Sequence, residues 1–327
     1  MNTISTHPYD ALTPEQVLSA VEQCGHFTTG SLYALNSFEN RVYQVGITDQ
    51  ADPLIVKFYR PGRWQAAQIR EEHAFSQQAA EVDIPVVLPL ADVTGQTLHQ
   101  YDEFLFALFP RKGGHAPELD HQDNLAIMGR TLARLHLVGA QQPFQHRPTL
   151  DATSFGHASI EFVSEQFIPL EFRRPYLTIC QSIMEHIDER LQNTQPIRVH
   201  GDLHVGNILW RDEVPHLVDF DDSRMAPAIQ DIWMLLSGHQ DDQQRQLDKI
   251  ITAYQEFRDF PFKELKLMES LRTLRMIHHT AWLARRWDDP AFPPAFPWFD
   301  THQFWEQHIA DLQTQLQQLD RVSPGLS

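Results

Sequence analysis

Cysteine is nearly missing from this 327-residue chain, and two residues, Cys24 and Cys180, cannot build a disulfide framework. Free thiols in a reducing cytoplasm are the expectation. No apolar run approaches the roughly 20 residues needed to span a bilayer. The opening Met1-Asn2-Thr3-Ile4-Ser5-Thr6-His7 has neither the basic nor the apolar region of a signal peptide. Positive charge is scarce as well: 26 Lys and Arg stand against 43 Asp and Glu, a net charge of −17. That balance argues against nucleic acid or an anionic membrane as the main partner. It leaves room for a nucleotide neutralised locally by metal, and for a cationic acceptor or a basic peptide. The glycine-rich string G-x-G-x-x-G is absent, and so is H-E-x-x-H. What remains is 42% apolar, enough for one large core or two modest ones.

What is present centres on Val199-His200-Gly201-Asp202-Leu203-His204-Val205-Gly206-Asn207-Ile208-Leu209, followed by Leu217-Val218-Asp219-Phe220-Asp221-Asp222. Short apolar runs at 197–199, 208–210 and 216–218 read as buried strands, which leaves Asp202 and Asn207 on a loop and Asp219 at a strand end. Phosphoryl transfer needs such a set: one Asp to take the proton of the attacking hydroxyl, an Asn and a second Asp to hold Mg²⁺ on nucleotide phosphates. His200 and His204 have the spacing of a helical zinc pair, but Gly201 and Gly206 disfavour a helix there. Asp221 and Asp222 fit a solvated turn equally well.

The Asp-to-Asn spacing is that of the protein-kinase catalytic loop, and Asp-Phe-Asp stands where that family has D-F-G. The version H-G-D-x-H-x-x-N with D-F-D-D resembles the aminoglycoside-phosphotransferase and choline-kinase superfamily. The resemblance implies an α+β, bilobal protein-kinase-like fold. Its N-terminal lobe (1–110) would be an antiparallel sheet with a helix, and its C-terminal lobe (111–327) larger and mostly helical. Branched and aromatic runs at 31–35, 41–47 and 54–59 supply the sheet, after a helix over 12–24 that Thr13-Pro14 opens. Ile55-Val56-Lys57-Phe58 resembles the kinase strand whose Lys contacts the α- and β-phosphates, although a strand lysine taken alone is usually just exposed. The partner of Lys57 on the helix over 64–80 is Glu72 or Glu71, with the register favouring Glu72. Without a glycine-rich loop, phosphate contacts fall to Ser37 and Asn40 between the first two strands, where an ordinary hairpin turn is the plainer reading. Leu108, Phe109 and Pro110, ending the apolar strand 104–109, are expected at an interlobe hinge near 108–112 that meets adenine.

Helices are expected over 122–137, 175–191, 262–287 and 304–319, with 143–171 an insertion of loops and short helices. Asp231 opens an apolar helix and resembles the superfamily's Asp that braces the catalytic loop, and His136 reads as structural. Basic residues along 272–286 could grip an acidic substrate or could be internal ion pairs. The aromatic link 290–299 is expected to fold beneath the C-terminal lobe. Only eight residues separate Asp222 from Asp231 and no A-P-E string exists, so a long activation segment has no room.

Over its whole length the chain resembles the bacterial stress response kinase family. That implies a cytoplasmic, monomeric Ser/Thr protein kinase that autophosphorylates and uses ATP with Mg²⁺. The alternatives are a small-molecule kinase of the choline, homoserine or aminoglycoside type, and a nucleotide-binding module without turnover.

Overall fold

A computed structural model describes residues 9–192 and 194–321; the first seven residues, read above for a leader, lie outside them. The chain opens with helix α1 (Pro14–Gln23), closed at its start by a capping box in which Thr13 and Gln16 exchange hydrogen bonds. Strands β1 (Thr28–Leu35), β2 (Arg41–Ile47) and β3 (Leu54–Phe58) follow as an antiparallel meander. After α2 (Ala66–Glu81) come β4 (His99–Tyr101) and β5 (Phe104–Pro110), completing a five-stranded sheet of order β1-β2-β3-β5-β4.

The period-two alternation of β3 decides what this sheet presents. Val56 and Phe58 join Phe104, Phe106 and Leu108 in a core shared with Val17 and Val21 of α1. Lys57 therefore faces the other side, where Tyr59, Ala107 and Ile69 of α2 form a separate small cluster. A buried ammonium thus meets α2.

The helical lobe begins with α3 (Gln122–Gly139), then a π-helical turn (Thr153–His157), α4 (Ala158–Gln166) and α5 (Leu170–Leu191). The last starts five residues before the expected position, because Pro175 is accommodated inside it. A ring there removes one bond near the helix start, where few are made. The catalytic segment is built on two short hairpin-like pairs: β6 (Ile197–Val199) with β9 (Arg224–Ala226), and β7 (Ile208–Arg211) with β8 (Val214–Leu217). Helices α6 (Gln230–Trp233), α7 (Gln240–Tyr254), α8 (Met268–Ala284), α9 (Phe292–Ala295) and α10 (His302–Arg321) complete the lobe. Residues Phe262–Leu267, expected as part of α8, form a separate 3₁₀ turn in which Glu264 N–H reaches the Pro261 carbonyl at 2.8 Å.

Glycine decides one close packing. A Cβ on Gly139 of α3 would sit 2.0 Å from the Arg198 carbonyl, so the bare backbone is what lets α3 lie against the strand entering the catalytic loop. The aromatic link folds in, as expected, at Phe292 and Phe299, which are buried, although Trp298 stays exposed. It also reaches across to the sheet: Phe38 at the β1–β2 turn packs on Phe296 at 4.9 Å and on Phe292 at 6.1 Å.

Candidate active site

Asp231 builds the catalytic loop from below. Its side chain is fully buried, and its two oxygens accept the N–H groups of His200 and Gly201, both at 2.8 Å. His136, also fully buried, contacts the same carboxylate at 3.3 Å and the Tyr254 hydroxyl at 3.0 Å. Burial alone would raise the Asp231 pKa, but the contacts from His136 and the two backbone N–H groups outweigh it and hold it below the usual carboxylate range. Gly201 takes φ +86°, and a Cβ there would meet the Asp222 carbonyl at 2.3 Å; both facts require glycine in the His-Gly-Asp turn.

The three expected residues are tied together through backbone. The Asn207 carboxamide N–H donates to the Asp202 carbonyl at 2.9 Å, and the Asn207 carbonyl accepts from Val218 N–H at 3.1 Å, one residue before Asp219. His200 Nε2 meets the Val218 carbonyl at 2.8 Å from the other side. Asp219 itself sits in the left-handed region (φ 60°, ψ 61°), a strained backbone for a residue with a side chain that Asp tolerates better than most. That turn aims its carboxylate at the sheet, where Oδ1 accepts from Lys57 Nζ at 2.8 Å.

Lys57 is the centre of an acidic ring. Glu72 lies 3.9 Å away and Asp221 3.5 Å. Burial would depress the ammonium pKa, yet Asp219, Asp221 and Glu72 together hold it well above its ordinary value. Glu72, nearly unexposed, is pushed up to about 7 by burial, with Lys57 pulling the other way. The alternative Glu71 is engaged elsewhere: its carboxylate accepts the backbone N–H groups of Gln145, His146 and Arg147 at 2.6 to 2.9 Å. The structure therefore places Glu72 at Lys57.

Two expectations come out differently. Asn40, expected to face phosphate, is buried and engaged at both ends of its carboxamide, donating to Asp221 at 3.2 Å and accepting from Arg60 N–H at 3.1 Å. It ties the loop to Asp221 and Arg60, which places it in a structural role in this state. The Leu108 carbonyl already accepts from Leu90 N–H at 2.7 Å, and Pro110 has no N–H, so backbone groups for a base edge must lie beyond Leu108. Phe109 pairs with Ile55 in the sheet. Ser37 is half-buried at the loop tip, with no side-chain hydrogen bond among the described residues.

Other members were not visible in the sequence. Asp221, read as a turn residue, is buried between Lys57, Asn40 and Arg63. Arg63 also grips Asp222 at 2.8 Å, and Arg224 does so at 2.5 Å. Arg147, from the segment expected to be inserted loops, is buried against the Trp64 ring. It donates to the carbonyls of Ser223, Gln68 and Asp221. Asp202 carries Arg275 from α8 on Oδ1 at 2.5 Å. Above this, Glu39 on the β1–β2 turn accepts from Trp282 at 2.6 Å and pairs with Arg286 at 2.7 Å, fastening the loop to α8.

The donor set fits a small hard cation. The carboxamide oxygen of Asn207 and the second carboxylate oxygen of Asp219 make no hydrogen bond among the described residues, and Asp219 is half-exposed. Mg²⁺ is commonly held by one or two protein oxygens with phosphate and water completing its shell. Such a site needs no larger group of ligands, and among the described residues no three His, Cys, Asp or Glu side chains are gathered for a metal.

A five-stranded antiparallel sheet carrying a buried Lys–Glu pair, above a helical lobe carrying Asp, Asn and a strained second Asp, defines a protein-kinase-like phosphotransferase. Residues 33–266 match the model of the phosphotransferase enzyme family (APH). Stress response kinase A of Escherichia coli strain K12 is 41% identical over 311 residues, covering 94% of this chain and 93% of that protein. The serine/threonine protein kinase RdoA of Salmonella typhimurium is 40% identical over 301 residues, covering 91% of each. The chain belongs to the phosphotransferase enzyme family and, within it, to the stress response kinase A family. Among solved structures it resembles amicoumacin kinase hAmiN in complex with AMP-PNP and Ca²⁺, with a TM-score of 0.73 at 17% identity over 97% of this chain and 95% of that one. Spectinomycin phosphotransferase APH(9)-Ia in complex with ADP gives a TM-score of 0.65 at 12% identity over 94% and 98%. At such identities the likeness concerns the fold.

Proposed function

We propose that this protein is an ATP- and Mg²⁺-dependent kinase that transfers the γ-phosphoryl group to Ser and Thr hydroxyls of proteins, itself included, within a bacterial stress response. Residues 1–110 form its nucleotide lobe and 111–327 its catalytic and substrate lobe. The cytoplasmic setting and monomeric state belong to the same proposal. The observation that carries the kinase chemistry is the Lys57–Asp219 contact at 2.8 Å, which brings the sheet's buried ammonium to the end of the catalytic segment. The protein acceptor is supported by the 40% identity to a relative named a serine/threonine protein kinase.

In this reading Lys57 moves from Asp219 to the α- and β-phosphates, and Glu72 keeps it oriented. Asn207 and Asp219 are the residues that would hold the metal, which would supply neutralisation of the nucleotide's phosphate charge. Ser37 contacts phosphate at the loop tip. The base edge meets the strand exit around Phe109 and Pro110, with the N–H groups after Pro110 as donors. Asp202 accepts the proton of the acceptor hydroxyl as its oxygen bonds to phosphorus and the bond to ADP breaks. Incubation with labelled ATP and Mg²⁺, with casein-type protein or with small alcohols, tests the acceptor class. Label on protein Ser and Thr supports the proposal; label confined to small alcohols overturns it.

Glu72 gives this reading a pH signature. With its pKa near 7, the carboxylate gains a proton as pH falls through neutrality and then no longer pairs with Lys57. Values of kcat/KM for ATP should therefore rise as pH climbs through about 7. Glu72→Gln should flatten that limb and raise the KM for ATP about tenfold, the effect of losing roughly one kcal/mol or more of orientation. A limb that survives in the variant assigns it to another group.

A further inference from the structure

One face of α8 meets the loop that carries Asp202, through Arg275. It carries Arg272, Arg275, His279 and Trp282 at steps of three and four, so their side chains share one side of the helix, and Arg286 follows in the turn just past its end. Most of these cations are committed. Arg272 pairs with Glu269 at 2.8 Å and bonds Gln243 at 3.0 Å, and Arg286 pairs with Glu39. Arg285, on a neighbouring face, donates to the Ala158 carbonyl at 3.2 Å. Arg275 differs. It pairs with the carboxylate proposed as the base, through Nη1 to Asp202 Oδ1, and its side chain is 43% exposed.

A guanidinium has five N–H donors in a fixed plane. With one donor on Asp202 Oδ1, the others remain available toward the open side, while Oδ2 stays available for a hydroxyl. His204 stands 3.7 Å from that second oxygen. A full positive charge thus sits one carboxylate away from the reacting hydroxyl. An ammonium on a small aminoalcohol or aminoglycoside acceptor would meet only further N–H donors on that side, since a guanidinium has no acceptor and already offsets the Asp202 charge. A carboxylate close to the acceptor hydroxyl would find a planar donor fork.

We propose that Arg275 is a specificity-determining residue, which selects acceptor hydroxyls flanked by an acidic side chain and disfavours cationic acceptors. The overall charge of −17 points the other way, toward basic partners. Local geometry outweighs it, because at physiological ionic strength a contact a few ångströms away acts more strongly than charges beyond about 8 Å. The inference rests on the protein-kinase reading and makes it narrower.

The test measures kcat and KM on three Ser peptides, flanked by Asp, by Ala or by Lys, for the wild-type protein, Arg275→Gln and Arg275→Lys. The wild-type protein should prefer the Asp peptide over the Lys peptide by about tenfold or more in kcat/KM, the size of one nearby charge pair at a partly exposed site. Arg275→Gln should remove the preference through KM, and Arg275→Lys should retain part of it, since the charge stays and the fork is lost. A wild-type protein indifferent to flanking charge overturns the inference. So does a variant that lowers kcat equally for all three peptides, which would assign Arg275 to the transferring phosphoryl group. If no peptide accepts phosphate but small alcohols do, the protein-kinase reading fails by itself. The charge preference is then read on hydroxy acids against aminoalcohols, where loss of an anion preference in Arg275→Gln sustains the role of Arg275 and no change overturns it.

Discussion

Asp202→Asn is expected to lower phosphoryl transfer by about 10²- to 10⁴-fold, the range spanned by a positioned general base. The substitution keeps the shape of the side chain and the hydrogen bond from Asn207, which goes to the Asp202 backbone carbonyl. It removes the proton acceptor and the charge facing Arg275. Because that ion pair is partly exposed, at 23% and 43%, its loss should change stability by no more than about 1 kcal/mol. The proposed function puts the nucleotide contacts on Lys57, Asn207 and Asp219, so affinity for ATP should stay within a few-fold. Rapid-quench measurement of the transfer step, with equilibrium binding of a fluorescent nucleotide, separates the two. A variant that transfers at the unmutated rate would remove Asp202 from the chemistry.

Asp231→Ala is expected to damage the fold itself, by about 3 to 5 kcal/mol, the cost of breaking a buried charged partnership from one side. Two backbone donors, His200 N–H and Gly201 N–H, would be left in a dry interior with His136. Asn should rescue little, since the two N–H groups use different oxygens and the carboxamide offers one acceptor and turns a donor toward the other. The depressed pKa of Asp231 sets the pH window. A carboxyl held below its unfolded value adds stability above that value, near 4, and loses it as pH falls through the folded pKa. The wild-type protein should therefore lose this share below about pH 4, and the alanine variant should have a flatter acid limb. Urea midpoints across pH 3 to 7 measure both effects.

Lys57, Asp202, Asn207 and Asp219 could be singled out from the sequence because each belongs to a short string whose spacing the chemistry restricts, and the structure brings them to one place. The helix cap at Thr13, the meander and the apolar strand at 104–109 followed from local pattern. The partners of Asn40 were hidden for a physical reason: a loop sequence shows a donor but not whether its partners are solvent or a buried carboxylate. Pro175 misled the start of α5, since a proline near a helix start is tolerated over several positions and so does not fix the first one.

Sequence alone determined the bilobal kinase-like fold and the phosphotransferase class, because the strings that carry them are set by neighbours a few residues apart. The tertiary structure decided that Glu72 and not Glu71 meets Lys57. It also decided that Arg147 and Arg63 hold the Asp219–Asp222 turn and that Arg275 stands on Asp202. Those partners are 74, 158 and 73 residues away along the chain. No periodicity encodes such a pairing; only the tertiary packing of α2 with the turn before it, of the loop around Arg147 and of α8 brings these charges together.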